Sequence, residues 1–393
     1  MPATQEFYRI KQLPPYVFEE VNTLKAQLRA EGRDIIDLGM GNPDMPTPPH
    51  IVEKLCEAAH NPKAHRYSAS RGIIGLRRAM ARYYERRFNV KLKPETEIVA
   101  TIGSKEGFAN LAQAITAPGD VILSPNPAYP IHAYGFIIAG GVIMPVPALT
   151  PEQYLSELSV AISRAHMTPR AMVVNYPSNP TAQMVGLDFY KDVVALARKH
   201  DILILSDLAY SEIYFEDTPP PSILEVEGAR DIAVEINSLS KTFAMAGWRV
   251  GMAVGNERLI AALARVKSYL DYGAFTPIQV AAVAALDGPW DCVEEIRQTY
   301  KARRDVLIST FASAGWSMET PPASMFAWAQ IPEQFREDGS IAFAKMLMER
   351  ADVAVAPGIG FGEEGDHYVR IGLVENQQRI RQAARNIKKL MLV

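Results

Sequence analysis

An α/β fold built on a mostly parallel sheet, with a second and smaller α/β unit toward the C-terminus, is what this 393-residue sequence predicts. Three observations carry it. Short β-branched runs end in polar, Gly-rich or Pro-rich turns, helical patterns lie between them, and a fresh helix-then-strand alternation begins near Leu286. The length exceeds what one hydrophobic core usually serves, which fits two units.

Residues 1–45 read as an N-terminal arm that runs through the turn "DLGMGNPD" and packs against the smaller unit or across the mouth of a site. Residues 46–285 form the large unit. Its strand candidates are "EIVAT" before "IGSKEG", "VILS" before "PNPAYP", "AMVVN" before "YPSNPT", "ILILS" before "DLAY", and "IAVEIN" before "SLSK". Between them, "LDFYKDVVALARKH" (187–200) has apolar positions three and four apart and a basic end, as a helix covering a sheet should. In residues 286–393 the helical "CVEEIRQTYKARRDVLISTFASAG" precedes strand-like "SMFAWAQI" and "YVRIGL". In such folds ligands bind beyond the carboxyl ends of the strands.

Composition narrows the function. Hydrophobic residues make up 48% and charged residues 22%, and the net charge of -3 gives no electrostatic footprint for nucleic acid. The two cysteines, Cys56 and Cys292, stand far apart in no metal-ligand spacing. The first residues lack the apolar core of a signal peptide, and no apolar run approaches the roughly 20 residues that span a bilayer. The expectation is a cytoplasmic protein, without nucleic-acid or membrane partners, acting on a small molecule.

The five strand ends together offer Ser104 and Lys105 at a helix start, Tyr129, Asn179, Asp207 with Tyr210, and Ser238, Ser240, Lys241 and Arg249. Helix-start N–H groups, hydroxyls and an arginine fork are recurrent means of holding a phosphate. An aspartate at a buried strand end is costly unless it meets a cation or several donors, and a protonated pyridine nitrogen is one such partner. A lysine amine can form an imine with an aldehyde and, when neutral, move a proton at a substrate carbon. Its pKa must then fall below the usual value of about 10.4, through burial and nearby cations. Each residue alone has a plain reading: a surface lysine, a helix-capping aspartate, half-buried tyrosines, serines in turns. Their shared place at the strand ends favours a phosphorylated aromatic cofactor.

The motifs "NYPSNPT", "SDLAY", "SLSKTFAMAGWRVG" and "YVRIGL", in this order and spacing, resemble the class I and II aminotransferases of the fold-type I pyridoxal-phosphate enzymes. Blocks such as "RIKQLPPYVF", "IIDLGMGNPD" and "PGIGFGEEGDHYVRIGLVEN" resemble the bacterial alanine (glutamate-pyruvate) aminotransferases within them. The resemblance implies pyridoxal 5'-phosphate as cofactor, Lys241 as the lysine that carries it, and Asp207 as partner of the pyridine nitrogen. It implies Tyr210 and Asn179 at the ring hydroxyl, Tyr129 on the ring face, and Ser104, Lys105, Ser238, Ser240 and Arg249 around the phosphate. Arg370 matches the arginine that clamps the substrate α-carboxylate, and Tyr67 a tyrosine that reaches the phosphate of the neighbouring subunit, which implies a homodimer with shared sites. Gly41 and Tyr16 are expected beside the substrate side chain.

Two departures stand out. Ala182 replaces the glycine of the usual Asn-Pro-Thr-Gly, and Leu208 follows Asp207 where a glutamate is frequent. No arginine matches the one that aspartate-specific relatives use for the distal carboxylate, which points away from aspartate. The implied reaction moves an amino group between L-alanine and 2-oxoglutarate by ping-pong transfer. LL-diaminopimelate, methionine or aromatic aminotransferases, and a carbon-sulfur lyase, share the same cofactor residues, and an aminotransferase-like effector domain is a reading outside enzymes. The run "GFGEEG" (360–365) fits the dinucleotide pattern G-x-G-x-x-G, but strand-like "DHYVRIGL" follows it instead of a helix, so it is expected to be a loop near Arg370.

Overall fold

The computed structural model describes residues 7–14 and 17–391. A short strand, β1 (Ile36–Asp37), precedes seven strands that share one sheet: β2 (Ile98–Thr101), β3 (Val121–Asn126), β4 (Val142–Pro147), β5 (Ala171–Asn175), β6 (Leu203–Asp207), β7 (Ala233–Ser238) and β8 (Gly251–Gly255). Their order is β2-β8-β7-β6-β5-β3-β4. Only β8 runs against its neighbours, antiparallel to β2 and β7, so the carboxyl ends of β2, β3, β5, β6 and β7 open on one edge.

Alternate residues of these strands feed two cores. Val99, Ile122, Val173, Leu205 and Val234 pack with helices Ser104–Ile115, Ile131–Ala139 and Glu257–Leu270, while Leu123, Met172, Val174, Ile204 and Val254 pack with Ile74–Phe88, Pro151–Arg164, Leu187–Lys199 and Thr276–Asp287. That period of two, apolar on both faces, is why the strands read as continuous hydrophobic runs.

A third core lies around an antiparallel sheet in the order β11-β12-β9, formed by β9 (Phe326–Gln330), β11 (Ala356–Pro357) and β12 (Tyr368–Gly372). Helices Asp291–Ser313, Gly339–Ala351 and Gln377–Met391 cover it. The chain's early part joins this region: β1 pairs in parallel with β10 (Val353–Ala354), and Ile36 and Leu38 are buried in the same core. Among the described residues no helix is long and apolar enough to cross a membrane.

Candidate active site

A cavity of about 490 Å³ opens at the carboxyl edge of the large sheet. Ser104, Lys105, Tyr129, Asn179, Asp207, Tyr210, Ser238, Ser240, Lys241, Arg249, Arg370 and Gly41 all line it. Tyr16 lies outside the described residues. Tyr67 stands away from the cavity, 86% exposed, with its ring centroid 4.7 Å from that of Tyr272.

Each side chain arrives there for a local reason. Asp207 is the last residue of β6; its Oδ1 accepts from the Ala209 N–H at 3.1 Å, and its Oδ2 lies 2.9 Å from Nε2 of His132. Sequence reasoning missed His132. It is fully buried in the first turn of helix Ile131–Ala139, its Nδ1 has no hydrogen-bond partner, and its Nε2–H is the group that donates to the carboxylate. It stands three residues after Tyr129, with the two ring centroids 5.9 Å apart.

β7 ends at Ser238, which caps the short helix Leu239–Thr242 by accepting from the Ser240 N–H at 3.1 Å. This turn aims Lys241 into the cavity, where its Nζ donates to the Gly41 carbonyl at 2.9 Å. Loss of hydration first, then the cations of Arg370 and Arg249, bring the Lys241 pKa down to about 7. Burial also raises the Tyr210 hydroxyl well above its ordinary value, so it is a neutral donor.

Arg249 has φ of +58° and donates to the Ala246 carbonyl at 2.9 Å. Its guanidinium lies against Gly103: a Cβ on that glycine, which has φ of +77°, would stand 2.1 Å from Nη2. Glycine there supplies both the left-handed backbone and the room for an arginine at a helix start. Lys105, in the first turn of that helix, lies 6.0 Å from the Tyr129 ring centroid.

Arg370 comes from β12. It donates to Asn179 Oδ1 at 2.8 Å and to the Gly39 carbonyl at 3.4 Å, and its guanidinium stacks 4.0 Å from the Phe326 ring centroid and 4.7 Å from that of Phe361. Asn179 is held in turn through its N–H, which donates to Asn175 Oδ1 at 3.0 Å. Gly41 leaves the space in front of this pair open, since a Cβ on it would stand 3.3 Å from Arg370 Nη2. Ala182 sits at φ of +57°, the left-handed conformation that a glycine takes without strain. The loop holding "GFGEEG" forms two 3-10 turns before β12 and presents Phe361 to the cavity, with no helix after it. His166 is exposed and His200 ends helix Leu187–Lys199, both away from the site.

A BacF structure from Bacillus subtilis is 37% identical, with a TM-score of 0.92 over 98% of both chains. An aspartate aminotransferase variant from Thermus thermophilus is 28% identical, with a TM-score of 0.90 over 98% of this chain and 99% of that one. The fold is that of the fold-type I pyridoxal-phosphate enzymes. Residues 33–387 match the family described as aminotransferase class I and II, and the chain belongs to that family. The provisionally named aminotransferase AatC of Rhizobium meliloti (strain 1021) is 66% identical over 98% of this chain and 96% of its own. The glutamate-pyruvate aminotransferase AlaC of Escherichia coli (strain K12) is 53% identical over 98% of this chain and 94% of its own.

The protein is therefore a pyridoxal-phosphate-dependent aminotransferase. The residues present fit that cofactor. A carboxylate backed by an imidazole suits a ring cation, an amine with pKa near 7 suits an aldehyde, and a helix start with hydroxyls and an arginine suits a phosphate.

Proposed function

We propose that this aminotransferase moves the amino group between L-alanine and 2-oxoglutarate, giving pyruvate and L-glutamate, as a cytoplasmic homodimer with shared sites. The observation that carries the alanine reading is the 53% identity to the glutamate-pyruvate aminotransferase of E. coli, against 41% to the LL-diaminopimelate aminotransferase of Moorella thermoacetica. The division at residues 45 and 285 belongs to the same reading, supported by the separate core around β9, β11 and β12 and by the pairing of β1 with β10.

When bound, the cofactor supplies a ring that withdraws electrons from the substrate α-carbon. Asp207, oriented by His132, would pair with the ring nitrogen and favour its protonated form. Tyr210 and Asn179 would hold the ring hydroxyl, and Tyr129 would lie against the ring face, since all three line the cavity. Ser104, Lys105, Ser238, Ser240 and Arg249 hold the phosphate, and the exposed Tyr67 is offered to the phosphate of a second copy. Arg370 and Asn179 take the substrate α-carboxylate, with Gly41 beside its side chain. Lys241 takes the proton from the α-carbon and returns it, for which its amine must be neutral.

The lowered pKa gives a directional prediction. Between about 7 and the ordinary lysine value of 10.5, the Lys241 amine is neutral where an exposed lysine is charged. Capture of pyridoxal phosphate by the cofactor-free protein should slow about tenfold for each pH unit below 7 and level off above it. Stopped-flow absorbance across pH 5 to 9 checks this; a rate still climbing toward pH 10 would mean an ordinary lysine.

The substrate reading is tested by adding L-alanine to the purified enzyme and following the long-wavelength absorption of the bound cofactor. Loss of that band, restored by 2-oxoglutarate, is the expected result. A band unmoved by alanine and bleached by LL-diaminopimelate would transfer the assignment to that substrate.

A further inference from the structure

Lys267, in helix Glu257–Leu270, is fully buried, yet it lines no part of the cavity. Its Nζ lies 2.9 Å from Glu106 Oε1 and 3.0 Å from Asp271 Oδ2. A buried ammonium is costly, and two carboxylates on one cation leave a cluster that no packing need explains.

The two arms of the cluster lead to different places. On one side, Glu106 accepts from the Ile102 N–H through Oε2 at 2.7 Å, and from the Asn110 amide through Oε1. It is the third residue of helix Ser104–Ile115, and its carboxylate reaches back past the N-cap Gly103 to the Ile102 N–H, holding the turn into that helix. On the other side, Asp271 accepts from the Gly273 N–H through Oδ1 at 2.6 Å, and its carbonyl accepts from the Ser70 hydroxyl at 2.5 Å. Gly273, at φ of +78°, passes so near that a Cβ on it would stand 2.4 Å from the Ala69 carbonyl. Residues 67–71 are thereby pinned beside Tyr272, and the Tyr67 ring is held outward.

We propose that Lys267 is a positioning residue for phosphate recognition in two directions at once. Through Glu106 it fixes the turn at residues 102–104 that receives the chain's own cofactor phosphate, and through Asp271 it fixes the Tyr67 segment offered to a second copy. This rests on the cofactor placement and shared-site dimer proposed above. One buried charge then ties the geometry of the two sites together, because a shift of Lys267 moves both the loop that binds and the tyrosine that is lent.

Equilibrium binding of pyridoxal phosphate and of pyridoxal, which lacks the phosphate, to the cofactor-free protein separates this role from a purely structural one. Lys267→Met should weaken pyridoxal phosphate about tenfold or more, the worth of a charge-assisted hydrogen bond, and leave pyridoxal within about twofold. Glu106→Gln, which keeps an acceptor for the Ile102 N–H but loses the charge, should shift the ratio the same way by less, and it carries the test if Lys267→Met does not fold. Equal weakening of both ligands, or of neither, would overturn the proposal. For the second arm, Asp271→Asn and Tyr67→Phe should be non-additive in pyridoxal phosphate affinity; additive effects would detach Asp271 from Tyr67. A wild-type protein that bound pyridoxal no more weakly than pyridoxal phosphate would remove the phosphate placement itself.

Discussion

Lys241→Ala should lower turnover by roughly 10⁴-fold or more, since it removes both a nucleophile and a proton carrier from one position. The fold should survive, because the turn at Leu239–Thr242 is capped by Ser238 and not by the lysine, whose Nζ meets one carbonyl, that of Gly41. Pyridoxal phosphate should still bind through Arg249, the serines and Asp207, but without the covalent band in its absorption spectrum. A small primary amine added to the medium should recover part of the lost rate, as it can carry the proton that Lys241 carries. Steady-state assay of L-alanine with 2-oxoglutarate measures the loss; a variant within tenfold of wild type would mean that another group performs the proton transfer.

Most of what surrounds that lysine is legible in the amino-acid sequence, and the parts that are not have identifiable causes. Five strands of the large sheet show themselves as β-branched runs with turns at their carboxyl ends, and those same ends bring Ser104, Asn179, Asp207 and Lys241 to one cavity. β4 is hidden by Pro145 and Pro147, residues that argue against a central strand; it is an edge strand, paired to β3 alone, where a missing N–H costs little. β8 is hidden by its terminal glycines, which read as turn signals. Gly251 is small because a Cβ there would stand 2.9 Å from the Ser104 nitrogen, so the strand is glycine-bounded for the sake of the adjoining helix start.

His132 is invisible for a different reason. Its role depends on Asp207, 75 residues away in the chain, and nothing in a local window distinguishes it from a histidine in a helix. Lys267 is harder still, since its helical spacing to Asp271 is that of an ordinary surface ion pair and its complete burial exists only in the packed structure. Motif reading finds side chains that face the ligand. It does not find those that hold them there.

Arg370→Lys should cut kcat/KM about 100-fold, with the loss carried mainly by KM and the affinity for pyridoxal phosphate unchanged. A guanidinium offers a flat fork of donors. Here one edge is already committed to Asn179 and to the Gly39 carbonyl, while its face rests on Phe326 and Phe361, so the plane is fixed before a substrate arrives. A lysine ammonium is a point charge on a flexible stem; it can meet one carboxylate oxygen, but it loses the second parallel bond and the stacking that sets the angle. Because L-alanine and 2-oxoglutarate present the same carboxylate next to the reacting carbon, the two half-reactions should lose kcat/KM by the same factor. A loss confined to 2-oxoglutarate would instead place Arg370 on the second carboxylate, and the α-carboxylate would then have to be held by Asn179 and the lysines that line the cavity.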